Sequence, residues 1–83
     1  MKYLVLTIRK PEFNADFIPA HYGFLAALKA DGLIEQGGPF TDKSGGAYVL
    51  TAGNLDEARR IAERDPLHIS NSSAVTVHEW DAR

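Results

Sequence analysis

The chain has 83 residues, 45% hydrophobic and 24% charged, with a formal net charge of −2 and no cysteine. That length folds as one domain, residues 1–83, and buries only roughly 60–65% of the surface its unfolded form exposes, so further burial by oligomerisation is expected. Lys and Arg are spread along the chain without interleaved aromatics, which excludes a nucleic-acid footprint; the absence of cysteine excludes disulfides and thiolate metal sites and fits the cytoplasm.

Residues Lys2 to Arg9 read as a strand, with Leu4, Leu6 and Ile8 on one face and Tyr3, Val5 and Thr7 on the other. Both faces are fairly apolar. One can pack on helices and the other needs a partner. The segment is short, and Arg9 and Lys10 follow it, so neither a signal peptide nor a membrane span is expected. After a loop from Pro11 to Ala15, a helix is predicted from about Asp16 to Asp31, capped by Asn14 or Asp16 and stopped by Gly32. Phe17, Phe24, Leu25 and Leu28 make its apolar stripe, and His21 stands in the middle of it.

Leu33 to Gln36 reads as a short strand that Gly37-Gly38-Pro39 breaks or bends. This tripeptide is too short for a phosphate loop. It reads as a bulge or turn that can expose backbone N–H groups near a pocket. A polar turn, Phe40 to Gly45, leads to a second good strand, Gly46 to Ala52. Asn54 and Glu57 form a capping box for a second helix, Leu55 to Arg64, with an apolar stripe of Leu55, Ala58, Ile61 and Ala62. Asp65 continues that stripe, and Pro66 ends the helix there. A loop carrying a solvated His68 follows, then a strand from Ser73 to Trp80 with His78 on a sheet surface or a dimer contact.

The order β-α-β-β-α-β predicts an α+β, ferredoxin-like fold, an antiparallel sheet with two helices on one face. In that topology the first helix starts at the end of the molecule where the second finishes. His21 and Asp65 are therefore expected within hydrogen-bonding reach or one water apart. An aspartate beside an imidazole fixes which ring nitrogen carries the proton and frees the other to act as general base or acid. The bland alternative is a buried polar tie between two helices, sealed from solvent. No metal-ligand spacing is visible, and no cofactor is expected.

One set of residues recurs in a familiar order: Tyr3-Leu4-Val5-Leu6, His21 with Phe24-Leu25, Gly32-Leu33, Gly38-Pro39, Gly45-Gly46, Leu55-Asp56-Glu57-Ala58, Asp65-Pro66 and Trp80. Through them the chain resembles the YCII-related family of the dimeric α/β-barrel superfamily. Each motif is weak alone, and their order and spacing together are specific over essentially the whole chain. The resemblance implies a homodimer paired through the sheet faces and an active site containing His21 and Asp65. A few members act on chlorinated lactones in aromatic degradation, with elimination of HCl. Many members carry an Arg three residues before the His, where this chain has Ile18; Arg9 is the candidate to take its place.

Two functions are therefore expected to compete. One is a cofactor-independent isomerase or lyase, of dehalogenase type, acting on a small carbonyl or lactone substrate. In it His21 and Asp65 would be catalytic, and Gly38, Pro39 and Arg9 would bind the substrate. The other is a non-catalytic ligand-binding or accessory module on the same fold.

Overall fold

The computed structural model describes all of residues 1–83. Its elements run β1 (Lys2–Arg9), α1 (Ile18–Ala30), β2 (Ile34–Pro39), β3 (Gly45–Thr51), α2 (Leu55–Ala62), α3 (Pro66–Ile69) and β4 (Ser73–Trp80), with a 3₁₀ turn, Ala15–Phe17, leading into α1. The four strands form one antiparallel sheet in the order β2-β3-β1-β4. This is the expected ferredoxin-like arrangement. No helix is long and apolar enough to cross a membrane.

Strand register assigns the two faces. In antiparallel pairs, directly opposed residues share a face, and Val5 stands between Tyr48 and Val77. The face carrying Tyr3, Val5, Tyr48 and Leu50 is buried under the helices. There Leu28 of α1 and Ala58, Ile61 and Ala62 of α2 complete the core. The opposite face carries Leu4 between Val49 and His78, and Leu6 between Ala47 and Thr76. It has no helix over it, and Ile8 and Trp80 are exposed there. His78 is exposed on this face.

Four local expectations need correction. The first helix starts later than Asp16, because Asn14 caps the 3₁₀ turn by accepting from the Asp16 N–H, and α1 proper begins at Ile18 with Pro19 in its first turn. Phe17 lies in that turn and is exposed rather than part of the stripe. Next, β2 does not end at Gln36. It runs through Gly37, Gly38 and Pro39, and the irregularity falls between Ile34 and Gly37 as a register shift. A proline is tolerated because β2 is an edge strand. Gly37 must be glycine, since a Cβ there would sit 2.7 Å from the Cβ of Tyr48.

The third correction concerns Asp65. Helix α2 stops at Ala62, and Asp65 is extended, with ψ 128°, as its proline neighbour requires. It begins something as well as ending something. Its side chain caps α3 by accepting from the Leu67 N–H, and Pro66 occupies the first turn, where a missing N–H costs nothing. Fourth, His68 belongs to α3 and is half-buried, not a solvated loop residue.

Candidate active site

Along β1 the inward side chains change character. Tyr3 and Val5 are apolar, and Thr7 and Arg9 are polar. Arg9 pairs with Ser73 of β4, and Thr7 pairs with Gly46 of β3. At this end the sheet offers small or polar groups instead of bulk, and the N-terminal half of α1 crosses above it. The result is a small open cleft with a cavity volume of about 70 Å³. Its sheet side is Thr7, Arg9, Gly46, Tyr48 and Ser73. Its helix side is Ile18, His21, Tyr22 and Leu25 of α1 with Leu67 of α3.

His21 and Asp65 meet on this wall. The imidazole Nδ1 lies 2.9 Å from Asp65 Oδ1 and 2.8 Å from Oδ2. Asp65 is fully buried, whereas the His21 side chain keeps 12% of its surface exposed. An ionised carboxylate only accepts, so Nδ1 must carry the proton and donate. A neutral imidazole then has its lone pair on Nε2, which has no partner within the protein. The buried carboxylate also accepts from the Leu67 N–H at 2.9 Å. Those bonds offset the large desolvation that an isolated buried charge would suffer.

The other sequence-predicted residues, Gly38, Pro39 and Arg9, line the same cleft, as does Ile18. Arg9 stacks its guanidinium 4.2 Å from the centre of the Phe13 ring. It makes no ion pair with any carboxylate of the chain, whose salt bridges are Lys2–Glu35, His21–Asp65 and Arg83–Asp81. No group of three His, Asp or Glu side chains converges in a way that could hold a metal ion.

Sequence reasoning missed Tyr48 and Ser73. Both are buried, and neither hydroxyl has a hydrogen-bond partner in the protein. Burial, reinforced by the negative charge of Asp65, raises the Tyr48 pKa well above that of an ordinary phenol. Its hydroxyl therefore stays protonated. The available signal was strand alternation: Thr7 and Ser73 are polar residues at inward positions of two strands that pair with each other. Tyr48 carried no such sign, because a tyrosine at the centre of a strand reads as core.

The model of the YCII-related domain matches residues 1–81. The Bacillus subtilis (strain 168) protein YjpA, itself uncharacterised, is 46% identical over 78 residues, which are 94% of this chain and 92% of YjpA. Among solved structures, the 5-chloro-2-hydroxyhydroquinone dehydrochlorinase TftG from Burkholderia phenoliruptrix AC1100, in complex with 2,5-dihydroxybenzoquinone, superposes with a TM-score of 0.83. That match covers 100% of this chain and 96% of TftG at 26% identity.

Proposed function

The chain belongs to the YCII-related domain family, and from that premise we propose that it is a small-molecule enzyme in which His21 and Asp65 act as a general acid/base pair. The observation that carries this reading is the tautomer-fixing contact itself. Nδ1 is tied to a sealed carboxylate, and the same imidazole lines an open cleft. The cleft beside the pair counts against its serving only to tie helices together.

The chemistry that suits one such pair is removal of a proton from a carbon next to a carbonyl. Nε2 takes the proton, and Asp65 stabilises the imidazolium that forms. The electrons of the broken C–H bond enter a new C=C bond, and the carbonyl π electrons move to oxygen. Return of the proton to another atom completes an isomerisation. Departure of a β-substituent as an anion completes an elimination, and with chloride the products balance as HCl. TftG, a dehydrochlorinase bound to a dihydroxyquinone, is a relative whose chlorinated hydroxyhydroquinone substrate would enter this class as its keto tautomer. The small carbonyl or lactone substrate would lie against Gly38 and Pro39, with Arg9 at the mouth attracting an anionic group.

The decisive experiment is deuterium exchange at the α-carbon of small lactones and enolisable ketones in D₂O, together with chloride release from 5-chloro-2-hydroxyhydroquinone. The wild-type protein should accelerate at least one of these, and His21→Ala should not, while its circular dichroism stays native. A His21→Ala variant as active as wild type ends the proposal. Saturable binding of 2,5-dihydroxybenzoquinone with no exchange and no chloride release would instead identify a binding module.

A homodimer belongs to the same proposal. The sheet face bearing Leu4, Leu6, Ile8, Val49 and Trp80 has no covering element, and a chain of this size gains stability by burying such a face against a second copy. Light scattering should give twice the 9.1 kDa chain mass. A monomer at micromolar concentration removes the dimer from the proposal.

A further inference from the structure

Only two buried side-chain polar atoms in the molecule lack a protein hydrogen-bond partner, Tyr48 Oη and Ser73 Oγ. Both residues are 2% exposed, and both line the cleft that holds His21. Buried hydroxyls are normally satisfied, because leaving one unpaired forfeits its hydration with nothing in return. Two orphans in one cleft and none elsewhere mark a place built for something outside the chain.

Their positions are set by the sheet. Tyr48 stands opposite Val5 on β1 and Gly37 on β2, and only a glycine at 37 leaves room for it. Ser73 stands opposite Arg9 at the far end of β1. The remaining walls, Ile18, Leu25, Leu67 and Pro39, are apolar.

Resting on the reading of His21 as the proton acceptor, we infer that Tyr48 is a specificity-determining residue whose hydroxyl donates to the carbonyl oxygen of the substrate, with Ser73 holding a second oxygen of the same molecule. The substrate class that follows is a small enolisable carbonyl compound with two oxygen functions on an otherwise apolar frame. When His21 removes the α-proton, negative charge develops on the carbonyl oxygen. A buried, protonated phenol is positioned there without needing to reorganise. A site whose hydroxyls are left unpaired by a ligand lacking one oxygen discriminates strongly against that ligand.

The test uses cyclohexane-1,4-dione and cyclohexanone as probes, with ¹⁵N-labelled histidine NMR of His21 reporting occupancy. Wild type should bind the dione more tightly than the ketone. Tyr48→Phe should weaken the dione by about tenfold and erase the preference. Ser73→Ala should give a smaller loss. Because the phenol has no partner in the free protein, Tyr48→Phe should melt at the wild-type temperature or above it. Equal dione affinity in wild type and Tyr48→Phe overturns the assignment, and so does a fall in melting temperature, which would mean the hydroxyl serves the fold. Failure here is separable from failure of the catalytic reading. Full affinity in Tyr48→Phe, with α-exchange still dependent on His21, removes Tyr48 alone. Tyr48-dependent affinity without any His21-dependent exchange removes the catalysis and leaves the binding group.

Discussion

The two ends of the inner sheet face are made from the same strands and obey opposite rules. At one end Tyr3, Val5 and Leu50 pack against Ala58, Ala62 and Leu28 in a closed apolar core. Four residues further along β1 the inward side chain is Arg9, opposed by Ser73, and the helix above presents a histidine. The helices repeat the contrast. Helix α2 buries Ala58, Ile61 and Ala62, whereas α1 buries only Leu28, in its last turns. The lesson is that α1 roofs a space more than it fills one. Stability is concentrated at the packed end, and unpaired polar groups at the other.

The sharpest way to break this comparison is to truncate the packed end. Leu50 is fully buried, and Leu50→Ala should cost about 2–5 kcal/mol in urea unfolding. The fraction that remains folded should keep the wild-type affinity for the dione probe. A loss of affinity in the folded fraction would show that the ends are not separate.

Asp65 stands behind the cleft wall, and the fold also depends on it. Asp65→Ala removes the cap of α3 and the partner of His21, so it should destabilise by about 1–3 kcal/mol and also abolish turnover. Calorimetry beside an activity assay would separate the two losses. An unchanged melting temperature would mean that the carboxylate belongs to the cleft alone.

Tyr48 sharpens the contrast in alkali. Its pKa is higher in the folded protein than in the unfolded chain, so the unfolded state releases its proton first. The stabilisation is complete below the ordinary phenol range, near pH 10, and is lost as pH rises from there toward the raised folded value. Stability against pH in that window should fall less steeply in Tyr48→Phe. Tyr3 is shifted the same way, by burial and then by Glu79 and Glu57, and it is present in both proteins, so the difference between their slopes isolates Tyr48.

The smallest effect belongs to neither end. In the turn between β2 and β3, hydrogen bonds from the Ser44 side chain and backbone hold the Asp42 carboxyl below its ordinary range. That contribution is present above the unfolded value of about pH 4 and is lost as pH falls through the depressed folded one. Asp42→Asn should flatten this acid slope slightly and leave ligand binding untouched. A change in binding would extend the site to the turn.

Much of this was legible in the residues. Alternation in β1, the helical stripes and the turn glycines carried the element order, and that order carried the proximity of His21 to Asp65. The misreadings share one cause: each depended on a contact made across the chain. Pro39 reads as a strand breaker until its strand is known to lie at the edge. Phe17 fits a helical stripe until Asn14 takes up the Asp16 N–H and starts a tighter turn. Tyr48 reads as core because nothing in Gly46-Ala47-Tyr48-Val49 announces that its hydroxyl ends without a partner.

One carboxylate oxygen, Asp65 Oδ1, accepts from both the His21 ring and the Leu67 amide. Two protons thus compete for the electron density of a single atom, one belonging to the imidazole and one to the backbone. Whenever the imidazole gains or loses charge, the share left for Leu67 changes with it. The Leu67 amide resonance is in effect a gauge wired into the chain, and it would register the charge of His21 at each stage of occupancy with no label on the ligand.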